Sequence, residues 1–95
     1  MDDKPIKILL IEDSLFSIRH IQNMLAEAKG GQLDVELKCA DRLSVGLEHL
    51  AENGVDVVLL DLTLPDSHEL DTFTKAYAQA DGVPIVVMSG IEDET

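Results

Sequence analysis

The chain has 95 residues, 45% of them hydrophobic and 27% charged, with a formal net charge of −12 and an isoelectric point near 4.3. That length sets a ceiling of one domain, and the acidity argues against nucleic acid or anionic lipid as a direct partner of this segment. A lone cysteine excludes an internal disulfide and a cysteine-rich zinc site, while no apolar run approaches the ~18 residues of a membrane span.

Met1-Asp2-Asp3-Lys4 has none of the character of a signal peptide, so a cytoplasmic address is expected. Ile6 to Ile11 is almost unbroken apolar sequence, as for a strand covered on both faces. Ser14 can cap a helix whose apolar positions Leu15, Ile18, Ile21, Leu25 and Ala28 recur at spacings of three and four, with Gly30-Gly31 ending it. Leu33, Val35, Leu37 and Cys39 alternate with Asp34, Glu36 and Lys38, the pattern of a strand with one wetter face near the sheet edge. Cys39 is expected there as a small buried hydrophobe.

Asp41 precedes a second helix carrying Leu43, Leu47, Leu50 and Ala51, closed at Asn53-Gly54. Val55 to Leu60 is the most apolar strand and belongs at the centre of the sheet; Thr63 to His68, with Pro65 inside it, is a loop. Leu70, Phe73, Tyr77 and Ala80 mark a third helix ended by Asp81-Gly82. Pro84 introduces a fourth strand, Ile85 to Met88, and Ile91-Glu92-Asp93-Glu94 begins another helix. Strands alternating with helices predict an α/β, doubly wound parallel sheet with right-handed crossovers, in order 2-1-3-4.

In such a sheet every strand ends on the same side, and ligands sit at the switch point where strand order reverses. The flanking strands end in Glu12-Asp13 and Asp61, and the fourth ends in Ser89-Gly90. Two carboxylates ~4 Å apart repel by about 4 kcal/mol at an effective dielectric near 20. A raised pKa or a bound cation relieves this, and a site of carboxylate, carbonyl and water suits Mg²⁺. Such a site is prepared for phosphoryl chemistry, in which a carboxylate can be the nucleophile and form an acyl phosphate.

The segments Leu10-Ile11-Glu12-Asp13-Ser14, Asp61-Leu62-Thr63-Leu64-Pro65-Asp66 and Val86-Val87-Met88-Ser89-Gly90 resemble, in order and spacing, the receiver domain of two-component response regulators. The resemblance implies a flavodoxin-like fold and an aspartyl phosphoacceptor that takes phosphate from a histidine kinase and changes conformation. By position, Asp61 matches the phosphorylated aspartate, Asp13 the direct Mg²⁺ ligand and Glu12 the acid holding metal-bound water. Thr63 matches a ligand through its backbone carbonyl, and Ser89 the switch hydroxyl. Thr63 and Ile91 flank the expected phosphoryl position, where the apolar Ile91 would restrict a hydrolytic water.

Two departures from the pattern stand out. Glu69 occupies a place where glycine is usual, which predicts a slightly different path for the preceding loop. The family also has five βα units, and residues 1–95 reach only the start of the fourth helix. The reading is therefore of an incomplete receiver, lacking the fifth strand with its lysine, and the fifth helix. Uncovered residues on the first and third strands and an open fourth strand then predict a homodimer or an element swap, unless the chain continues.

Two rival readings compete with this one. A haloacid-dehalogenase-type phosphatase wants a second aspartate two residues after Asp61, where Thr63 stands. A degenerate receiver acting only through protein contacts is disfavoured by Glu12, Asp13, Asp61 and Ser89, and favoured by the missing lysine. His20, His49 and His68 read as surface residues, Met24 as ordinary packing, and Asp66 as shaping the turn after Pro65.

Overall fold

A computed structural model describes residues 5–31, 34–52 and 54–88. The elements alternate as expected: β1 (Ile6–Ile11), α1 (Leu15–Gly31), β2 (Val35–Ala40), α2 (Leu43–Ala51), β3 (Val57–Asp61), α3 (Glu69–Ala80) and β4 (Ile85–Met88). All pairings are parallel and the order is β2-β1-β3-β4. The predicted doubly wound sheet is borne out. Leu33, Asn53 and everything from Ser89 onward, including the helix expected at Ile91, lie outside the described residues.

Strand ends are tied by side chains as well as by the ladder. At the start of β1, Lys7 N–H donates to Asp56 Oδ2 at 2.8 Å, and Asp56 N–H donates to Lys7 O at 2.7 Å. At its other end Glu12 N–H donates to Ala40 O at 2.9 Å, so the β1–β2 ladder extends into the acid segment. Because side chains alternate across a strand, Leu9, Ile11, Val58 and Leu60 face one side. They form the main core with Leu43 and Leu50 of α2 and Ala76 of α3.

On α1, Ser14 caps as predicted: its hydroxyl accepts the Ser17 amide at 3.3 Å and its carbonyl accepts the Ile18 amide at 3.0 Å. The buried stripe of the helix contains Ser17 and Ile21. Met24 is exposed rather than packed. At 100° per residue it falls just beyond the arc spanned by Ser17, Ile21, Ile18 and Leu25.

Helix α3 exists as predicted but presents a different face. Thr72, Ala76 and Ala80 are buried, Phe73 is half-buried, and Leu70 and Tyr77 are 77% and 68% exposed. Residues 72, 76, 80 and 73 fall within one ~100° arc, with 70 and 77 beyond it. Small side chains let the helix pack closely against α2, and Tyr77 stacks on Phe73 with ring centroids 5.8 Å apart. Asp81 in the left-handed region (φ 52°) and Gly82 (φ 93°) end the helix, in keeping with the expected Asp-Gly stop.

Three further expectations are corrected. Cys39 is exposed, because β2 is the outer strand and its end has neighbours on one side only. His49 is half-buried rather than at the open surface: its Nδ1 is buried and lies 3.7 Å from Glu52 Oε1. Ile8 and Leu10 of β1 are buried, so the first strand is not left uncovered. Partial exposure falls instead on β3, where Val57 and Leu59 are half-buried, and on β4, where Val86 and Val87 are 48% and 43% exposed. Glu69, the first residue of α3, shows no positive φ, consistent with a loop that does without the backbone a glycine would allow.

Candidate functional site

The sheet brings the carboxyl ends of β1 and β3 side by side, with Ile11 paired to Leu60. The next residues along are Glu12, Asp13 and Asp61, and one carboxylate oxygen from each lies within 4.8 Å of the others. Glu12 and Asp61 are buried, and Asp13 is exposed at the rim. The juxtaposition follows from strand order: residues 48 positions apart meet only because β3 lies next to β1.

The two buried acids are held by local bonds. Glu12 Oε2 accepts the Ser14 amide at 3.1 Å, which turns its side chain back over the start of α1. Asp61 Oδ1 accepts both the Thr63 amide at 3.1 Å and the Thr63 hydroxyl at 2.9 Å. Burial pushes the Glu12 carboxyl up to about 7; the Ser14 amide opposes this, while a hydrogen bond with Asp61 and the charges of Asp61 and Asp13 add to it. The pocket thus concentrates negative charge beyond what its own donors neutralise.

Among the described residues the cluster offers carboxylate oxygens as ligands, the chemistry that a hard divalent cation requires and thiolate- or imidazole-seeking metals do not. Among the residues singled out in the sequence, Glu12, Asp13, Asp61 and Thr63 are brought together; Ser89 lies outside the described residues. Apart from the backbone carbonyl role expected of it, Thr63 donates its amide and its hydroxyl to Asp61 Oδ1.

Sequence reasoning missed the reach of Asp66. Its two oxygens accept the amides of Leu43 at 2.8 Å and Ser44 at 3.0 Å, across the molecule from its own turn. The available signal was the absence of any capping side chain at Arg42, which leaves the start of α2 in need of a distant acceptor.

Comparison with known proteins agrees with this geometry. The family model described as "Response regulator receiver domain" matches residues 8–95. The chain is 32% identical over 91 residues to protein-glutamate methylesterase/protein-glutamine glutaminase 5 of Myxococcus xanthus (strain DK1622), covering 96% of this chain. It spans only about a quarter (25%) of that relative's length. Among solved structures, the MaeR response regulator bound to beryllium trifluoride is similar, with a TM-score of 0.75 and 22% identity, covering 93% of this chain and 70% of that one. A CheY-like response regulator receiver domain protein from Methanospirillum hungatei JF-1 gives a TM-score of 0.72 at 21% identity, covering 95% and 68% respectively. At these identities the structural likeness speaks to the fold.

Proposed function

As this chain belongs to the response regulator receiver domains, the phosphorelay signalling modules of two-component systems, we propose that Asp61 accepts a phosphoryl group from a histidine kinase. Mg²⁺ would be held by Glu12, Asp13, Asp61 and the Thr63 carbonyl. The observation that carries this reading is the convergence of Glu12, Asp13 and Asp61 within 4.8 Å at adjacent strand ends. Bound Mg²⁺ supplies charge neutralisation between an anionic acceptor and an anionic phosphoryl donor.

The residues themselves do the rest. Asp61 attacks phosphorus through a carboxylate oxygen, so that a P–O bond forms as the P–N bond of phosphohistidine breaks and the imidazole leaves. Thr63 fixes the Asp61 rotamer through Oδ1. Ser89 is proposed to donate its hydroxyl to a phosphoryl oxygen once transfer is complete. The role is that of a cytoplasmic signalling domain, not a turnover enzyme. The methylesterase and glutaminase named for the Myxococcus relative belong to a protein of which this chain matches only a quarter.

A partner reading accompanies the chemistry. β4 is the outer strand of the described sheet, and its exposed Val86 and Val87 support pairing with a second copy along that edge. Sizing at micromolar concentration tests this directly, since a compact monomer would refute it. Among the described residues no helix is long and apolar enough to cross a membrane.

The test of the acceptor is labelling with a small acyl-phosphate or phosphoramidate donor in the presence of Mg²⁺. The intact protein should take up one acid-stable, base-labile phosphoryl group, and Asp61→Ala should take up none. Labelling that persists in the alanine variant would remove Asp61 from the role. An intact protein that never labels would favour a receiver acting through protein contacts alone.

A further inference from the structure

An α-helix begins with amides that its own turns cannot satisfy, and a side-chain acceptor just ahead usually takes them. α2 lacks that local device. Arg42 has the extended backbone of a cap (φ −156°, ψ 164°) but makes no side-chain cap bond; its guanidinium donates to Asp41 instead, at 3.2 Å. Asp66 supplies both acceptors from the β3–α3 loop, to Leu43 and Ser44. A carboxylate at this end of a helix also meets the positive pole of the backbone dipole. Desolvation works against its ionisation, but the Leu43 and Ser44 amides, with its own amide and the Ser44 hydroxyl, together outweigh it and hold the carboxyl below its ordinary value.

The same loop leads back to the acid pocket. Thr63 grips Asp61 Oδ1, Leu64 is buried in the core, and Ser67 N–H reaches Leu64 O at 3.4 Å to close a turn over Pro65-Asp66. That last bond is long, near the limit for a hydrogen bond, so the turn does not hold itself. Asp66 fastens its far side to α2.

We propose that Asp66 is a positioning residue: by tying the β3–α3 loop to the amino end of α2, it holds Thr63 against Asp61 and thereby raises the cation affinity of the pocket. The inference deepens the reading of Asp61 and Thr63 given above and rests on it for the cation. Asp66 itself stands outside the acid cluster.

A helix cap and nothing more would show the same bonds, so the test must separate the two roles. Asp66→Ala removes both bonds, and adding Arg42→Ser in the same chain gives α2 a local cap where the backbone already has the required angles. Amide hydrogen exchange at Ser44, Val45 and Thr63, measured without metal, is the first readout; titration with Mg²⁺ alone is the second. In the double variant, slow exchange at the start of α2 and the thermal midpoint should return to wild-type values. Thr63 should still exchange about tenfold faster, the equivalent of ~1.4 kcal/mol, and Mg²⁺ should bind several-fold more weakly. Thr63 exchange restored along with the helix would overturn the proposal, leaving Asp66 a cap only. Asp66→Asn, which keeps the shape and one carbonyl oxygen, should fall between wild type and Asp66→Ala at Thr63; exchange there equal to wild type counts against the tether. Failure of the wild-type protein to bind Mg²⁺ would sink the cation-site reading, while Thr63 exchange would still judge the tether.

Discussion

Gly46 of α2 and Ile11 of β1 leave no room for a side chain between them: a β-carbon built on Gly46 would collide with Ile11 Cδ1 and lie 2.8 Å from its Cγ1 and 3.4 Å from its Cγ2. Ile11 is fully buried and immediately precedes Glu12, so it has nowhere to retreat without moving the pocket. Gly46→Ala gains ~1 kcal/mol of helix propensity, but overpacking a core contact of this kind costs about 1–3 kcal/mol. A net loss of up to ~2 kcal/mol is expected, read as a lower urea midpoint at unchanged slope. Ile11→Val in the same chain should cost less than the sum of the two single changes, because it removes Cδ1, the carbon nearest the collision. Strict additivity would show that the two residues do not collide.

Cys39 offers a simple check on the outer strand. The residue is exposed, yet partial desolvation raises its thiol above the ordinary value. Iodoacetamide should therefore modify it completely in the folded protein, but more slowly than it modifies the unfolded chain, since the thiolate is the nucleophile. The rate should still be climbing with pH where a free cysteine has levelled off. Protection from the reagent under native conditions would mean that the end of β2 is covered after all.

Periodicity alone revealed most of the fold. The almost unbroken apolar runs at Ile6–Ile11 and Val57–Leu60, each followed by an acid, located both interior strands and the pocket between them. What stayed hidden depended on contacts between distant segments. Asp66 meets Leu43 and Ser44 across 23 and 22 residues, whereas a cap is ordinarily sought within three. The inner face of α3 was misjudged because large apolar residues are the usual marker of burial. There the close packing against α2 selects Thr72, Ala76 and Ala80, and leaves Leu70 outside. Gly46 reads in sequence only as a weak helix former; its meaning appears once Ile11 is set against it.

Cation binding should appear as stability. Three carboxylates within 4.8 Å repel in the metal-free protein, so Asp13→Asn, at the exposed rim, should raise the metal-free thermal midpoint slightly. In the wild-type protein Mg²⁺ at about 100 times its dissociation constant should add ~2.7 kcal/mol. In Asp13→Asn or Asp61→Asn the same concentration should add much less. Differential scanning fluorimetry with and without Mg²⁺ measures both arms. An equal Mg²⁺ shift in wild type and both variants would place the ion elsewhere.

The raised Glu12 carboxyl makes a prediction whose sign can be worked out. Its folded value is about 7 against an ordinary 4.5, with burial the main cause. Folding therefore favours the protonated acid, and this contribution is complete below 4.5 and lost as pH rises through 7. Glu12→Gln resembles the protonated side chain and cannot ionise. In EDTA it should match the wild-type urea midpoint at about pH 4.5 and exceed it at about pH 8. Asp66 does not confuse the comparison: its carboxyl lies below the ordinary 3.8, so its contribution is lost only on further acidification. Saturating Mg²⁺ at about pH 8 should reverse the ranking, because the ionised Glu12 that burdens the empty pocket is the form that helps hold the cation. A constant difference between the two proteins across that pH range would mean that Glu12 keeps an ordinary carboxyl value, and that the pocket is more open to water than its burial indicates.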